Sequence, residues 1–280
     1  MKIIFFDIDG TLLDYDGRMP QSTREALALA KEKGHRLILC SGRNKCAVKQ
    51  LMERFNFDGC VCSAGAYVEY REQVVCEETF TDATLQRLID FLEQDGASYG
   101  LQCKDYIACP DRMHEEYEKA FGTKAEEGTE SPLADGEEEK LDDIGKSFVF
   151  VEDIRSVEKV QKAFYYGAGV GVGKVGKLLG NEFDVRPASY NMPDENNGEI
   201  SLCGITKSYG MQKLLEYLDV ERENTIAFGD GYNDLEMLQF VDIGVAMGNA
   251  VESLKVVADY VTDLVTEDGI YRAMKHLDLI

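Results

Sequence analysis

The sequence lacks any apolar run near the roughly 20 residues that a membrane-spanning helix requires. Its N-terminal apolar stretch, Ile3–Phe6, is stopped at once by Asp7, and no signal-peptide pattern follows. Positive charge is also scarce, since 30 Lys and Arg residues stand against 52 Asp and Glu residues, a net charge of −22. A field of that sign repels nucleic acid and anionic lipid, so we expect neither a nucleic-acid nor a membrane partner.

Zinc-binding patterns are missing as well. The 280 residues include 3 His, and the 8 Cys form no CxxC pair, so zinc ligands at the usual spacing are excluded. Several cysteines lie in apolar runs such as RLILC, where a free thiol behaves as a small apolar group. Reduced thiols favour a cytoplasmic protein.

The N-terminal part of the chain alternates strand and helix patterns. Apolar runs predict strands at Ile3–Phe6, His35–Cys40 and Cys60–Cys62. Helix formers predict helices at Thr23–Lys33 and Asn44–Phe55, between those strands. A repeated strand–helix–strand order indicates a parallel sheet with helices on both faces.

The last 80 residues return to the same alternation. The patterns there predict helices at Ser208–Leu218, Asp234–Phe240 and Val251–Ala258, and strands at Thr225–Gly229 and Ile243–Met247. The two ends of the chain therefore resemble each other in their predicted structure.

The middle of the chain differs from both ends. It predicts helices at Thr81–Gln94 and Val157–Tyr166, and short strands around Tyr99–Cys103, Tyr106–Ala108 and Ser147–Glu152. The acidic stretch 125–143 indicates a solvated loop. The glycine-rich stretch 167–180 lacks the GxGxxG fingerprint in a βαβ unit, so its glycines are expected in strands, bends and turns. We predict one α/β core, residues 1–81 and 199–280, interrupted by an inserted α+β domain at 82–198.

The strongest chemical signal is Asp7-Ile8-Asp9-Gly10-Thr11, directly after the first predicted strand. In open parallel sheets, ligands bind beyond the carboxyl ends of the strands. Two carboxylates two residues apart point to the same side, and they repel each other unless a cation lies between them or one holds a proton. Either arrangement suits phosphate chemistry.

Further polar groups follow other predicted strands. Gly229-Asp230-Gly231-Tyr232-Asn233-Asp234 brings two more carboxylates, which are hard ligands that suit Mg²⁺. Ser41-Gly42-Arg43 closes the second strand and leads into a helix whose N-terminal amides could face an anion. Lys207 stands at the start of another predicted helix. A metal ion and local cations could thus offset the negative field around an anionic substrate.

The order of these motifs resembles that of the haloacid dehalogenase (HAD) superfamily, in particular its Cof-type phosphatases with a class IIB cap. The shared motifs are DxDGT after the first strand, a strand-end serine, a lysine at a helix start, and GDxxND near residue 230. The resemblance implies a Rossmann-like parallel-sheet core with an inserted α+β cap. It also implies a Mg²⁺-dependent phosphatase acting on a small phosphorylated metabolite, with a sugar phosphate as the first expectation.

The resemblance assigns the catalytic and metal-binding roles. Asp7 would attack phosphorus and form an aspartyl-phosphate, and Asp9 would protonate the leaving oxygen and later activate water. The metal ligands would be Asp7, the main-chain carbonyl of Asp9, and Asp230. Asp234 would lie close by and act directly or through water.

It also assigns a phosphate- and substrate-binding group. Ser41 and Lys207 would hold the phosphoryl oxygens, and Asn233 would orient the phosphate or the metal shell. Gly42 and Arg43 complete this group, although an ordinary surface position is an open alternative for Arg43.

Three positions depart from the family pattern. Ala64 stands where Asn is common, Ser208 where Gly is usual, and Asn44 where Pro is usual. None is an expected nucleophile or metal ligand, but the first puts one substrate or phosphate contact in doubt.

Two other functions stay open at this point. A phosphomutase of the same superfamily would return the phosphate to a second position on the sugar. A catalytically silent binder of a phosphorylated metabolite would be expected to lack a nucleophile, acid or metal ligand, yet all of these are present. A calcium loop at Asp14-Tyr15-Asp16-Gly17 is excluded, because Met19 occupies the sixth position where an EF-hand requires glycine. The sequence does not indicate the oligomeric state.

Overall fold

The computed structural model describes residues 1–115, 147–188 and 195–280. These residues belong to two compact units. The first contains Met1–Glu78 and Ile205–Ile280, and the second contains the described residues between Thr79 and Gly204. The acidic stretch 125–143 that we predicted as a loop lies outside the described residues.

The regular elements of the described residues are as follows. The strands are β1 (Ile3–Phe6), β2 (Arg36–Cys40), β3 (Gly59–Cys62), β4 (Tyr67–Tyr70), β5 (Gln73–Glu77), β6 (Ser98–Gln102), β7 (Ile107–Pro110), β8 (Phe148–Val151), β9 (Lys162–Tyr166), β10 (Phe183–Pro187), β11 (Gly198–Leu202), β12 (Thr225–Gly229), β13 (Ile243–Ala246) and β14 (Tyr260–Val261). The α-helices are Gln21–Glu32, Lys45–Arg54, Asp82–Asp95, Val172–Leu179, Lys207–Leu218, Leu235–Phe240, Glu252–Val257 and Gly269–His276.

The first unit is built on a sheet with the strand order β14-β13-β12-β1-β2-β3-β4-β5. The pairings from β14 to β3 are parallel, whereas β4 and β5 continue the sheet antiparallel. Strand β1 lies near the middle and all four of its residues are buried. Alternate residues of β1 enter two apolar clusters, Ile4 and Phe6 on one side and Ile3 and Phe5 on the other. Burial on both faces explains why its sequence is continuously apolar.

The second unit has a sheet with the strand order β10-β11-β9-β6-β7-β8. Its strand pairings are antiparallel except that of β7 with β8. The parallel-sheet α/β core with a further α+β unit that we predicted is therefore confirmed. No helix in the described ranges combines the length and the apolar character that a membrane crossing needs.

Two predictions for the second unit were wrong. The predicted helix Val157–Tyr166 is instead the strand Lys162–Tyr166, which pairs with both β6 and β11. Ala163 and Tyr165 of this strand are fully buried, so packing between two neighbouring strands overrides local helix preference. The glycine-rich stretch was predicted wrongly in part: Gly167 and Gly169 lie in bends as expected, but Gly173 and Gly176 lie in the helix Val172–Leu179, which Gly180 ends at φ +89°.

Candidate active site

The loop after β1 carries the first two carboxylates. The Asp7 N–H donates to Phe228 O at 3.0 Å, which continues the pairing of β1 with β12 to the edge of the sheet. The chain then turns at Gly10, which has φ +81°. A Cβ atom at this glycine would lie 2.2 Å from Asp230 Oδ2. Glycine is therefore required both by the left-handed backbone and by the close approach of Asp230.

The loop after β12 is closed by one of its own carboxylates. Asp234 Oδ2 accepts hydrogen bonds from the N–H groups of Asp230 (3.0 Å) and Gly231 (2.9 Å). A Cβ atom on Gly229 would lie 2.7 Å from the Asp234 carboxyl carbon, so the loop folds tightly over the end of the strand. This turn places Asp230 and Asp234 at the edge where Asp7 emerges.

Lys207 joins the two loops. It is the first residue of the helix Lys207–Leu218, whose cap Thr206 accepts from the Tyr209 N–H at 3.3 Å. Its ammonium nitrogen lies 2.5 Å from Asp7 Oδ1 and 2.6 Å from Asp234 Oδ1, and the residue is 2% exposed. Burial by itself lowers the pKa of Lys207, but the carboxylates of Asp234 and Asp7 raise it well above its ordinary value. The lysine therefore stays charged.

The backbone around residue 65 allows this helix to approach. A Cβ atom on Gly65 would lie 1.9 Å from Thr206 O, and one on Gly210 would lie 2.6 Å from Val61 Cγ1. The start of the helix thus packs directly against β3 and the turn after it, which fixes the height of Lys207 above the sheet edge.

Asp230 is held by neutral donors. Thr11 Oγ1 donates to Asp230 Oδ1 at 3.1 Å, and the Tyr15 hydroxyl donates to Oδ2 at 3.2 Å. Asn249 Nδ2 donates to Gly10 O at 2.8 Å and lies 3.4 Å from Asp230 Oδ2. Burial, and then the charge of Asp234, raise the pKa of Asp230 to about 7.

Three of these carboxylates could share a metal ion. Asp7, Asp230 and Asp234 are all buried, and each offers one oxygen within 4.8 Å of the others. Burial raises the pKa of Asp7 well above its ordinary value, and the charge of Asp234 adds to this effect against the opposing effect of Lys207. A buried set of carboxylates that a single lysine does not neutralise fits a hard divalent cation with oxygen ligands, such as Mg²⁺.

The loop after β2 reaches the second carboxylate of the first motif. The Arg43 guanidinium donates from Nε to Asp9 Oδ2 at 3.0 Å and from a terminal nitrogen to Asp9 Oδ1. Arg43 is 6% exposed, which contradicts an ordinary surface position for it. Its N–H donates to Ser41 Oγ at 3.2 Å, across the half-buried Gly42. The arginine thus links the β1 and β2 loops.

The structure brings most of the predicted site residues together at one sheet edge. Asn233 lies in the same turn as Asp234, half-buried, with Oδ1 beside Gly231. Sequence reasoning missed the hydrogen bonds to Asp230 from Tyr15 and Asn249. Asn249 follows β13, so the strand-end rule could have found it, but nothing in the sequence around Tyr15 signals this contact.

The chain is similar to known proteins over nearly its whole length. A family model described as haloacid dehalogenase-like hydrolase matches residues 4–274. The chain is 31% identical over 279 residues to YkrA of Bacillus subtilis (strain 168), which is named as a proposed phosphatase. The match covers 100% of this chain and 98% of YkrA. Phosphatase YwpJ of the same organism is 28% identical over 286 residues. The match covers 99% of this chain and 100% of YwpJ.

A solved structure is similar over the whole chain. It is the structure of BT4131, described as a HAD subclass IIB sugar phosphatase, with a TM-score of 0.79 and 28% sequence identity. The match covers 100% of both chains.

Proposed function

We propose, from the premise that this chain belongs to the haloacid dehalogenase-like hydrolases, that it removes phosphate from a small phosphorylated metabolite in a Mg²⁺-dependent reaction through an aspartyl-phosphate on Asp7. The predicted family and the predicted class of enzyme, a phosphatase, are confirmed. The metal, the role of each residue and the substrate are the content of the proposal.

One observation supports it most directly. Lys207 bridges the carboxylates of Asp7 and Asp234 at the end of the parallel sheet, with Asp230 in the same buried cluster. This arrangement combines a nucleophile with a fixed cation and a further pair of hard oxygen ligands. Phosphoryl transfer depends mainly on such positioning and on neutralising the charge of the equatorial oxygens.

In the first half-reaction, an oxygen of Asp7 attacks phosphorus and the bond from phosphorus to the ester oxygen breaks. Asp9 gives its proton to that leaving oxygen, so the alcohol departs neutral. In this structure both Asp9 oxygens accept hydrogen bonds from the Arg43 guanidinium, so Asp9 must release at least one of these bonds before it carries the proton. Lys207 and the Ser41 hydroxyl hold the phosphoryl oxygens, which lowers the barrier by neutralising their charge.

In the second half-reaction, Asp9 takes a proton from water, and the resulting hydroxide attacks the phosphorus of the aspartyl-phosphate. The bond to Asp7 breaks, inorganic phosphate leaves, and Asp9 is protonated for the next cycle. Asn233 and the Gly42 N–H are the further donors to the phosphate that we propose, whereas the Arg43 N–H already donates to Ser41 Oγ.

Mg²⁺, when bound, supplies positive charge that keeps Asp7 ionised and offsets the charge of the phosphate. Asp7, Asp230 and the Asp9 carbonyl would hold it. Both carboxylate oxygens of Asp234 already accept hydrogen bonds, from Lys207 and from two backbone N–H groups, so we assign Asp234 a role through water.

A sugar phosphate is the substrate class that we propose, on the strength of the similarity to BT4131. We propose that the second unit is the inserted cap that selects the leaving group and that the first unit is the catalytic core. The predicted limits, 82–198 for the cap and 1–81 with 199–280 for the core, place the second boundary inside β11, which pairs with β9 and β10 and therefore belongs with the cap. The cytoplasm is the proposed compartment, because the eight cysteines, all within the described ranges, form no disulfide and five of them are buried.

The test is phosphate release from a panel of small phosphoesters, with and without Mg²⁺. Asp7→Asn is expected to fold and to lose turnover by several orders of magnitude, because it removes the nucleophile. Asp16→Asn, the same change at an exposed position in the following turn, is the matched control and should keep its rate.

Retained turnover in Asp7→Asn would exclude the covalent route. Phosphate transfer to a second position of a sugar, with a requirement for a bisphosphorylated activator, would favour the phosphomutase instead. Release from no ester at all, with Mg²⁺ binding intact, would favour the silent binder.

A further inference from the structure

Among the carboxylates of the site, Asp230 is the one that forms no ion pair within the part of the chain that the structure describes. Arg43 pairs with Asp9, and Lys207 pairs with both Asp7 and Asp234. Within the described ranges, no lysine, arginine or histidine forms an ion pair with Asp230. Its orientation therefore depends on hydrogen bonds from uncharged groups.

Those hydrogen bonds come from two parts of the chain, the loop after β1 and the loop after β13. Thr11 serves Oδ1, whereas Tyr15 and Asn249 both serve Oδ2, at 3.2 Å and 3.4 Å. Asn249 is itself fixed, because its Oδ1 accepts from the Val265 N–H at 3.1 Å. Neutral donors can orient a carboxylate without supplying the charge that a metal ion would otherwise bring.

Tyr15 is an unusual member of this set, because the residue is 68% exposed while its hydroxyl reaches a buried carboxylate. Little of the ring is packed, so burial of the aromatic ring does not account for its position. The hydroxyl is oriented by the two side chains that hydrogen-bond to it, Asp230 and Asn249.

The turn that carries Tyr15 is itself rigidly closed. Asp14 Oδ1 accepts from the N–H groups of Asp16 and Arg18, both at 2.9 Å. The Asp14 N–H donates to Arg18 O at 2.9 Å, and Gly17 adopts φ +78°. Asp14 therefore forms its hydrogen bonds within its own turn, and these bonds fix the position of Tyr15.

We propose that Tyr15 is a positioning residue whose hydroxyl fixes the Asp230 carboxylate in the orientation in which it binds Mg²⁺. The Asp14–Arg18 turn holds the hydroxyl in place. This inference rests on the proposed function for the metal itself, but the role of Tyr15 is separate from the identity of the nucleophile and of the substrate.

The experiment is calorimetric titration of MgCl₂ into the metal-free full chain. Tyr15→Phe removes only the hydroxyl and should weaken Mg²⁺ binding by about 10-fold, the usual scale for a residue that orients a metal ligand. Tyr232→Phe is the matched control: Tyr232 is 66% exposed, it lies two residues from Asp230, and its hydroxyl donates to no Asp230 oxygen in the described structure. That variant should bind Mg²⁺ within about two-fold of the wild type.

Kinetics gives an independent reading. In Tyr15→Phe the Mg²⁺ concentration for half-maximal rate should rise by the same factor of about 10, while the rate at saturating Mg²⁺ stays within about three-fold. If Tyr15→Phe does not fold, Tyr15→Leu, which also lacks the hydroxyl, provides the same test.

Equal Mg²⁺ affinity in Tyr15→Phe and the wild type would overturn the inference and leave the proposed function intact. A loss of saturating rate with unchanged Mg²⁺ affinity would overturn it as well, because Tyr15 would then act elsewhere. A wild-type protein that binds no Mg²⁺ would overturn the metal dependence in the proposed function, and this inference with it.

Discussion

The two edges of the parallel sheet in the first unit differ in their balance of charged groups. At the amino edge, where the strands begin, Lys2 pairs with Asp242 at 3.2 Å, and Asp58 pairs with Lys31 at 2.8 Å and Arg71 at 3.7 Å. Three cations there face two carboxylates, and the pairs are partly open to solvent. Such pairs are screened and contribute little to stability.

At the carboxyl edge, four carboxylates face two cations, and most of these groups are buried. The members are Asp7, Asp9, Asp230, Asp234, Lys207 and Arg43. Burying an uncompensated charge costs free energy, so an arrangement of this kind is expected where a ligand supplies the missing positive charge. The excess of carboxylates, rather than the presence of ion pairs, therefore distinguishes the edge at which we propose catalysis.

The largest expected effect is on turnover, from removing one lysine at each edge. Lys207→Ala should lower the rate of phosphate release by about 100-fold or more, because it removes a preorganised cation from the transferring phosphoryl group. Lys31→Ala removes a lysine of the amino edge and should leave the rate within about two-fold. Steady-state kinetics, with circular dichroism to verify folding, measures both. Equal rates in the two variants would show that Lys207 is not part of the catalytic group and that the two edges do not differ in function.

The second effect is on stability and its dependence on pH. In the folded protein the pKa of Asp230 is about 7, against an ordinary value of 3.8, so folding favours its protonated form. The stability that follows from this is fully present below pH 3.8 and is lost as the pH rises through 7. In metal-free protein, Asp230→Asn should therefore be more stable than the wild type at pH 8, by about 1–3 kcal/mol, and should lose that advantage at pH 4.

The control for this change is Asp58→Asn at the amino edge. It loses the pair with Lys31 and weakens the hydrogen bond from the Leu37 N–H, so it should be less stable than the wild type by about 1 kcal/mol at pH 8. Urea denaturation in the presence of a chelator compares the variants. A less stable Asp230→Asn at pH 8 would show that the carboxyl edge carries no unfavourable charge.

The smallest effect concerns backbone strain at the two edges. Ala64, in the turn after β3, has φ 56°, and Glu72, in the β4–β5 turn at the opposite edge, has φ 65°. Asparagine tolerates this left-handed region better than either residue, so Ala64→Asn and Glu72→Asn should each add about 0.5 kcal/mol to the free energy of unfolding. Chemical denaturation measures the gain. An unchanged or lowered stability in both variants would mean that neighbouring contacts, rather than φ, set the local energy.

Much of the fold could be predicted because the signals are local. Strand β1 has the predicted bounds, and β12 does as well, since a continuous apolar run bounded by polar residues indicates a buried strand. The Asp7 and Asp230 motifs could be placed at one edge because parallel strands all end on the same side. The strand Lys162–Tyr166 could not be predicted, because its conformation depends on pairing with strands distant in the chain.

The amino-acid sequence by itself determined the alternation of strands and helices in the core, the residue types at the strand ends, and thereby the family and the class of chemistry. Only the tertiary structure decided which charges meet. Lys207 contacts Asp7 across 200 positions of sequence, Arg43 turns inward to Asp9, and Tyr15 reaches Asp230 from an exposed turn. The physical reason is that strand and helix preferences act over a few residues, whereas the partner of a buried charge depends on which distant segments packing brings within about 3 Å.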